Sequence, residues 1–512
     1  MAGRDNYPRR KNHRSYSSGD NPATTTSVAV RTLPPEEGAT IAVIGAGYVG
    51  LTTAACLSYV GHNVTCGDIN ESRVNSLNEG NIPIYEEGLD EIVRDGLSSG
   101  RLRFVAGASN AVKDAEFIFL CLPTPRQDDG TPDMSFISTV AAEIGPLINH
   151  GSVVVNKSTV PVGSAVAIER MIGRSDISVV SNPEFLREGT AVNDFFHPDR
   201  IVIGADDEQA AVRVSSLFRT LGASMLITDA TTAETVKYAA NAYLAMKISF
   251  ANSIAELCEI FGADIKDVLL GVAYDHRIGF EYLKPGPGWG GSCLPKDMAA
   301  LLSAAAAASG SSTYGATVAL RLPSSLPGQI STTPDKELSY YDVSLLEAII
   351  KTNDSHEQWV VRKALSLLQD DEAPLYGVQE RGSGSQVPPN GPVVAVWGVA
   401  FKAGTDDMRE SPALVLISEL VSRGTSIRVY DPTLRSETDV LPAGTVVCAD
   451  LYSACEGASL LCIMTEWEEF RWAEFGKVME VMASPKILDA RNLLDVSAVR
   501  RMGFTYQGIG RK

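Results

Sequence analysis

Nowhere does the chain hold an unbroken apolar run of the roughly 18 residues that a membrane-spanning helix needs, which excludes a helical membrane protein. Its eight cysteines (56, 66, 121, 258, 293, 448, 455 and 462) include no CxxC pair and no Cys/His cluster, so no metal site is expected. Positive charge is in deficit. With 44 Lys and Arg against 62 Asp and Glu, the net charge of −18 argues against a nucleic-acid backbone as partner. A single phosphate group stays possible, because a few local cations and backbone N–H groups suffice to hold one. The opening stretch MAGRDNYPRRKNHRSYSSGDNPATTT lacks the apolar segment of a secretory signal. Scattered thiols fit a reducing compartment, and the protein is expected to be cytoplasmic.

What is present is the composition of a soluble enzyme, 45% hydrophobic and 21% charged, over 512 residues that exceed one ordinary core. Residues 1–37 are rich in Arg, Ser, Thr, Asn and Pro and read as a disordered tail. From Thr40, short apolar runs alternate with helical stretches (IAVIGAG, NVTCGDIN, LRFVAG, FIFLCLPTP, VVVNKSTV, ISVVSNPEF, IVIGA), the signature of a parallel α/β sheet over 38–230. The stretch from about Ala233 to Phe261 has neither Gly nor Pro and predicts an unusually long helix, apolar on more than one face. It opens a helical middle domain, 231–370, interrupted by a polar insertion at about 311–341 and followed by a spacer at 371–391. Strand and helix patterns resume over 392–512. The expected fold is therefore α/β, with two Rossmann-like doubly wound domains joined by a long central helix and a helical middle.

Four constellations could carry chemistry. Gly45-Ala46-Gly47-Tyr48-Val49-Gly50 follows a strand-like run and opens a helix, and Asp68 ends the next strand 23 residues after Gly45. In that context the first glycine turns the chain, the second admits a pyrophosphate, the third allows close packing, and the carboxylate takes ribose hydroxyls, favouring NAD over NADP. Pro285-Gly-Pro-Gly-Trp-Gly-Gly-Ser-Cys-Leu-Pro-Lys-Asp297 sets Cys293 behind four glycines, with Lys296 near enough in sequence to favour a thiolate. A buried structural cysteine in a Gly-rich turn fits the same text. Glu184 and Glu188 in NPEFLREG would share a face if helical, as solvated glutamates also would. Lys237 and Asn241 have the same spacing, and a lysine in an Ala-rich buried helix needs a partner or a function.

Taken as a set, Gly45–Gly50, Lys157-Ser-Thr-Val-Pro-Val, NPEFLREG, Lys237-x3-Asn241, Gly290–Asp297 and Gly398-Val-Ala-Phe-Lys402 through Arg409-Glu-Ser-Pro resemble the UDP-glucose 6-dehydrogenases of the UDP-glucose/GDP-mannose dehydrogenase family, in order over residues 40 to 500. The resemblance implies oxidation of a sugar-nucleotide C6 alcohol to a carboxylate with two NAD and one water. It implies Cys293 as nucleophile, Asp297 as proton acceptor through a water, Lys237 and Asn241 as oxyanion donors, Glu184 in thioester hydrolysis and Thr159 holding the water. Cofactor contacts are implied for Gly45, Gly47, Tyr48, Val49, Gly50, Asp68, Thr124, Thr159, Glu188, Lys296 and Arg409. Substrate contacts are implied for Glu184, Phe185, Leu186, Lys237, Asn241, Tyr282, Gly290 and Lys402, and for Arg277 across a homodimer interface. Ser292 and Lys296 and the text PDRIVIGA and KPGPGWGG side with UDP-glucose, while GDP-mannose enzymes share GGSCLPKD. One-step β-hydroxyacid dehydrogenases resemble the first domain but explain neither Cys293 nor a second α/β domain. A non-catalytic sensor of nucleotide sugar or NAD would be expected to have lost a reacting group, and none is missing.

Overall fold

The computed structural model describes residues 38–127, 130–309, 343–369, 391–434, 436 and 438–511. The tail expected at 1–37 and the insertion at 311–341 lie outside these residues, as does the spacer apart from residue 391. Eight strands form the first sheet: β1 (Thr40–Ile44), β2 (Asn63–Asp68), β3 (Leu102–Ala106), β4 (Phe117–Leu120), β5 (Val153–Asn156), β6 (Ser178–Ser181), β7 (Ile201–Gly204) and β8 (Met225–Thr228). Their order is β3-β2-β1-β4-β5-β6-β7-β8, parallel throughout except where β6 meets β7. The strands are short and apolar on both faces because helices cover both. Ile41 and Val43 of β1 enter one core while Ala42 and Ile44 enter the other. Strand β8 was not anticipated, since its partly exposed MLIT text sits at the edge of the sheet and gives a weak signal.

A second sheet repeats the plan with β9 (Val393–Trp397), β10 (Ser426–Tyr430), β11 (Val446–Val447), β12 (Leu460–Ile463), β13 (Lys486–Asp489) and β14 (Thr505–Gly508), in the order β11-β10-β9-β12-β13-β14 and fully parallel. In both sheets the strand order changes sense beside the first strand, between β1 and β4 and between β9 and β12. At such a switch point the loops leaving the strand ends open a crevice for a ligand.

Between the sheets runs a helix of 32 residues, Ala230–Phe261. Asp229 starts it by accepting from the Thr232 N–H, and Gly262 in the left-handed region (φ 78°) stops it. Helix Ser344–Gln369 packs Val360, Val361, Ala364, Leu367 and Leu368 into the same core as Ala251 and Ala255 of the long helix and Val394 and Val396 of β9. The middle helices and the second sheet thus share one hydrophobic core, while the long helix reaches back to the first sheet through contacts with β6 and β7.

Candidate active site

The Gly45–Gly50 turn follows β1 directly. Gly45 has φ +100°, and a Cβ there would stand 2.4 Å from the Cys121 carbonyl oxygen; one on Gly50 would stand 1.8 Å from that of Gly45. A Cβ on Gly47, by contrast, would meet nothing within 4 Å. The turn is therefore closed where it packs and open where a diphosphate would approach. Asp68 lies at the carboxyl end of β2, where Oδ2 accepts from the Ala46 N–H (2.8 Å) and Oδ1 from the Asn70 N–H (2.8 Å). Arg73 Nη1 stands 3.4 Å from Oδ2, a cation that the sequence reading did not single out. These residues fit a dinucleotide whose ribose meets a carboxylate.

Past β6 the chain does not become helical. Residues 182–187 have no regular secondary structure and 188–189 turn, so Glu184 and Glu188 do not share a helix face as the i, i+4 spacing would allow. Pro183 cannot donate a backbone N–H, and Glu184 Oε2 accepts from the Leu186 N–H at 2.7 Å, which holds the segment open. The two carboxylates consequently go to different neighbours. Glu184 Oε1 meets Lys237 Nζ at 3.0 Å and its carbonyl takes a second bond from the same ammonium at 2.7 Å. Glu188 accepts from Ser292 Oγ at Oε1 (3.1 Å) and from Thr405 Oγ1 at Oε2 (3.1 Å), and Arg409 Nη2 stands 3.8 Å from Oε1.

Lys237 and Asn241, on successive turns of the long helix, are both buried, 4% and 7% exposed. Burial disfavours the Lys237 charge, but Glu184, Cys293 and Asp297 outweigh it and raise its pKa, so it is a fixed cation. Glu184 shifts down in concert: burial pushes it up, and Lys237, the Leu186 N–H and Lys157 pull harder the other way. Two of the three Lys237 N–H groups serve Glu184, and the third has no hydrogen-bond partner among the described residues. Asn241 Nδ2 donates to Asp297 Oδ2 at 2.6 Å. Asp297 Oδ1 is buried without a hydrogen bond among the described residues; Lys296 Nζ lies 3.2 Å away as an ion pair, at an angle that misses it.

Cys293 is the residue immediately ahead of helix Leu294–Ser309, and its carbonyl accepts from the Asp297 N–H. Burial raises its pKa, Glu184 and Asp297 add to that, and Lys237 with the Ser292 hydroxyl opposes them. The cation that favours the thiolate is Lys237 rather than Lys296, whose ammonium turns to Asp297 and, at 3.4 Å, to Thr124 Oγ1. Thr124 in turn donates to the Thr159 carbonyl at 2.8 Å, so Thr159, Thr124, Lys296, Asp297 and Asn241 form one chain of contacts from the first sheet to the long helix.

A cleft of about 1010 Å³ gathers Glu184, Phe185, Leu186, Glu188, Lys237, Asn241, Tyr282, Gly290, Cys293 and Lys402. This size and mixture suit a large polar ligand. Gly290 closes it against the second sheet's loop, since a Cβ there would lie 1.9 Å from the Glu410 carbonyl oxygen. Arg277 is not brought into the cleft: it is exposed and its guanidinium clasps Asp275. Arg409 pairs with Asp407 at 2.7 Å and does not line the cleft, and Lys402 Nζ donates to the Glu188 carbonyl. Several contacts escaped the sequence reading, though Tyr48 and Lys157 were themselves named in it. Lys157, fully buried at the carboxyl end of β5, donates to Asn182 Oδ1 at 3.1 Å; its place after a parallel strand was the available signal. Tyr48 Oη, hydrogen-bonded to Glu86, accepts from the Gly189 N–H at 2.7 Å and ties the glycine turn to the Glu188 loop. Arg491 donates to the Phe401 and Met464 carbonyls from the second sheet, a role that sequence spacing does not disclose.

Comparison with known proteins accounts for the three-part arrangement. Residues 39–222 match the NAD binding domain of the UDP-glucose/GDP-mannose dehydrogenase family, 231–319 its central domain and 395–496 its UDP binding domain. The chain is 38% identical over 488 residues to a UDP-glucose 6-dehydrogenase of Pseudomonas aeruginosa, covering 92% of this chain and 97% of that one. It is 38% identical over 481 residues to one of Rhizobium meliloti, covering 92% and 99%. Among solved structures, a UDP-glucose dehydrogenase of the archaeon Pyrobaculum islandicum aligns with a TM-score of 0.78 and 31% identity, over 94% of this chain and all of that one. A glycine turn shaped for a diphosphate, an aspartate at the second strand end and matches to all three domains together make this chain an NAD-dependent dehydrogenase of the UDP-glucose/GDP-mannose dehydrogenase family.

Proposed function

We propose that the protein oxidises UDP-glucose to UDP-glucuronate, removing four electrons at C6 and adding one water, through a covalent intermediate on Cys293. The observation that carries the mechanism is the meeting of Cys293, Lys237, Asn241 and Glu184 from three separate elements at one cleft, with Asp297 buried behind it and hydrogen-bonded to Asn241. The substrate assignment rests on the relatives named for UDP-glucose and on the match to a UDP binding domain.

Gly45, Gly47, Tyr48, Val49, Gly50 and Asp68 would hold NAD, with Thr124, Thr159, Glu188, Lys296 and Arg409 toward its reactive end; when bound, it supplies hydride acceptance for each of the two oxidations. In the first, Asp297 takes the C6 hydroxyl proton through a water, for which Oδ1 has an open lone pair. The unpaired N–H of Lys237 and the amide of Asn241 donate to the oxygen as charge develops on it. In the second, Cys293 Sγ bonds to the aldehyde carbon, giving a thiohemiacetal whose oxygen again meets Lys237. Oxidation leaves a thioester on the sulfur, so the aldehyde does not escape. Water, held by Thr159 and deprotonated with the help of Asp297 and Glu184, then attacks the thioester carbon; the C–S bond breaks and the carboxylate leaves. Phe185, Leu186, Tyr282 and Gly290 would cradle the sugar nucleotide, Lys402 its diphosphate, and Arg277 would act from a second subunit of a homodimer.

The test is product identification. Purified protein given NAD with UDP-glucose or with GDP-mannose should convert the first to its uronate, read by mass spectrometry. Conversion of GDP-mannose alone would keep the chemistry and overturn the substrate.

A further inference from the structure

For its sulfur to bond to a carbonyl carbon, Cys293 must lose a proton, and the groups around it differ in their ability to take one. Lys237 is a fixed cation and cannot. Glu184 holds Lys237 and the Leu186 N–H, Asp297 serves the C6 hydroxyl proton in the first oxidation, and neither carboxylate is hydrogen-bonded to Sγ among the described residues. Among the described residues the hydrogen-bond partner of Sγ is the neighbouring hydroxyl: Ser292 Oγ lies 3.6 Å from it. The same hydroxyl donates to Glu188 Oε1 at 3.1 Å. A serine has one proton to give. With that proton pointed at Glu188, its oxygen is left to accept from the thiol, so the three groups form a wire with one direction, S–H to O–H to carboxylate.

We propose that Glu188 is the base for the attack of Cys293 and that Ser292 relays the proton between them. The inference rests on the reading of Cys293 as nucleophile. As the S–C bond forms, the carbonyl π pair moves to the oxygen facing Lys237. The thiol proton passes to Ser292 Oγ and the serine proton passes to Glu188 Oε1. No electrons leave the system, and the serine ends as it began.

The setting of Glu188 suits this task. It sits where three parts of the molecule meet: its own loop after β6, the turn carrying Ser292, and the loop Lys402–Arg409 of the second sheet. Burial and the nearby Asp407 raise its pKa, while Thr405, Arg409 and Ser292 restrain the rise. Lys402, bonded to the Glu188 carbonyl, fixes the backbone without pairing the carboxylate. On the Cys293 side the facing charges are Lys237, Glu184, Asp297 and, from the second sheet's loop, Arg409.

The experiment measures alkylation of Cys293 by iodoacetamide, read by peptide mass, in the free enzyme without NAD or sugar nucleotide from pH 6 to 10. Ser292→Ala and Glu188→Gln should each slow alkylation near neutral pH by about 10²-fold or more and move its rise to higher pH, as expected for loss of a general base. Ser292→Thr, which keeps the hydroxyl, should restore the rate. The double variant should be no slower than either single one, because two links of one wire fail together. An unchanged rate in Ser292→Ala, a slow Ser292→Ala beside a normal Glu188→Gln, or additive losses in the double variant would each overturn the relay. Failure of the underlying reading looks different: a Cys293→Ala variant that still makes uronate removes the nucleophile itself, whatever the alkylation rates.

Discussion

Lys237 bears the heaviest demand of any single side chain, because it holds Glu184, faces Cys293 and carries the one N–H left for substrate. Lys237→Ala should lower kcat by about 10²- to 10³-fold, the usual loss when an oxyanion donor is removed, while KM changes far less. A kcat within a few-fold of wild type, measured at steady state, would contradict its assigned role. The same pair makes a stability prediction. Glu184 has a folded pKa below its unfolded value, so its contribution is present above the unfolded value near about 4.3 and is lost as pH falls through the folded one. Thermal melting of wild type should therefore fall more steeply below about pH 4.3 than that of Glu184→Gln. At Asp68 the expected effect is on the cofactor: Asp68→Ala should raise the KM for NAD about tenfold, the equivalent of one charged hydrogen bond. At this scale the sequence was informative about which residues matter and poor on how they pair. Lys237, Asn241, Cys293 and Asp297 were visible as motif residues, but the cation beside the thiol was assigned to Lys296, its neighbour in sequence, when the long helix delivers Lys237 instead.

Elements position these groups, and the glycine loop before Cys293 shows how. Gly288 packs on Glu357 of helix Ser344–Gln369, Trp289 N–H donates to Asn353 of the same helix (2.8 Å), and His356 reaches the Gly286 carbonyl (2.8 Å). Burial first, then Asp354 and Glu410, push the Glu357 carboxyl up to about 8, with the Asn353 amide opposing. A carboxyl whose folded pKa exceeds its unfolded one stabilises the fold below the unfolded value and loses that contribution as pH rises to and through about 8. Melting temperature should drop between pH 6 and 9 in wild type and stay flatter in Glu357→Gln; equal slopes would contradict the assignment. None of this was legible beforehand, since Glu357 reads in sequence as an ordinary polar helix position. The lack of Gly and Pro from Ala233 to Phe261 did find the long helix to within three residues of its start, because so long a stretch without either leaves few alternatives. At NPEFLREG spacing left open a helix on which the two glutamates would share a face, and the structure has none there, with Glu184 Oε2 accepting from the Leu186 N–H instead.

In the whole molecule, two copies of one sheet plan face each other across helices, and the cleft is built from both halves. Asp431 just after β10 accepts from the Val399 and Ala400 N–H groups (2.8 and 3.1 Å) much as Asp68 at the end of β2 accepts from Ala46, so the two halves repeat the same strand-end device. Alternation of strand and helix text made both sheets legible from sequence; the sharing of one core by the middle helices and the second sheet was not, because no local pattern reports it. The second sheet's loop meets Glu188 through Lys402 and Thr405, and the proposed function has substrate affinity depend on such residues far from the reacting carbon. Lys402→Ala should accordingly raise the KM for UDP-glucose more than it lowers kcat. The central claim is a double oxidation held on one cysteine, and the measurement that tests it most directly is the count of NADH formed per UDP-glucose consumed. The account requires two NADH and UDP-glucuronate as the product; one NADH per sugar nucleotide, with the aldehyde released, would contradict it.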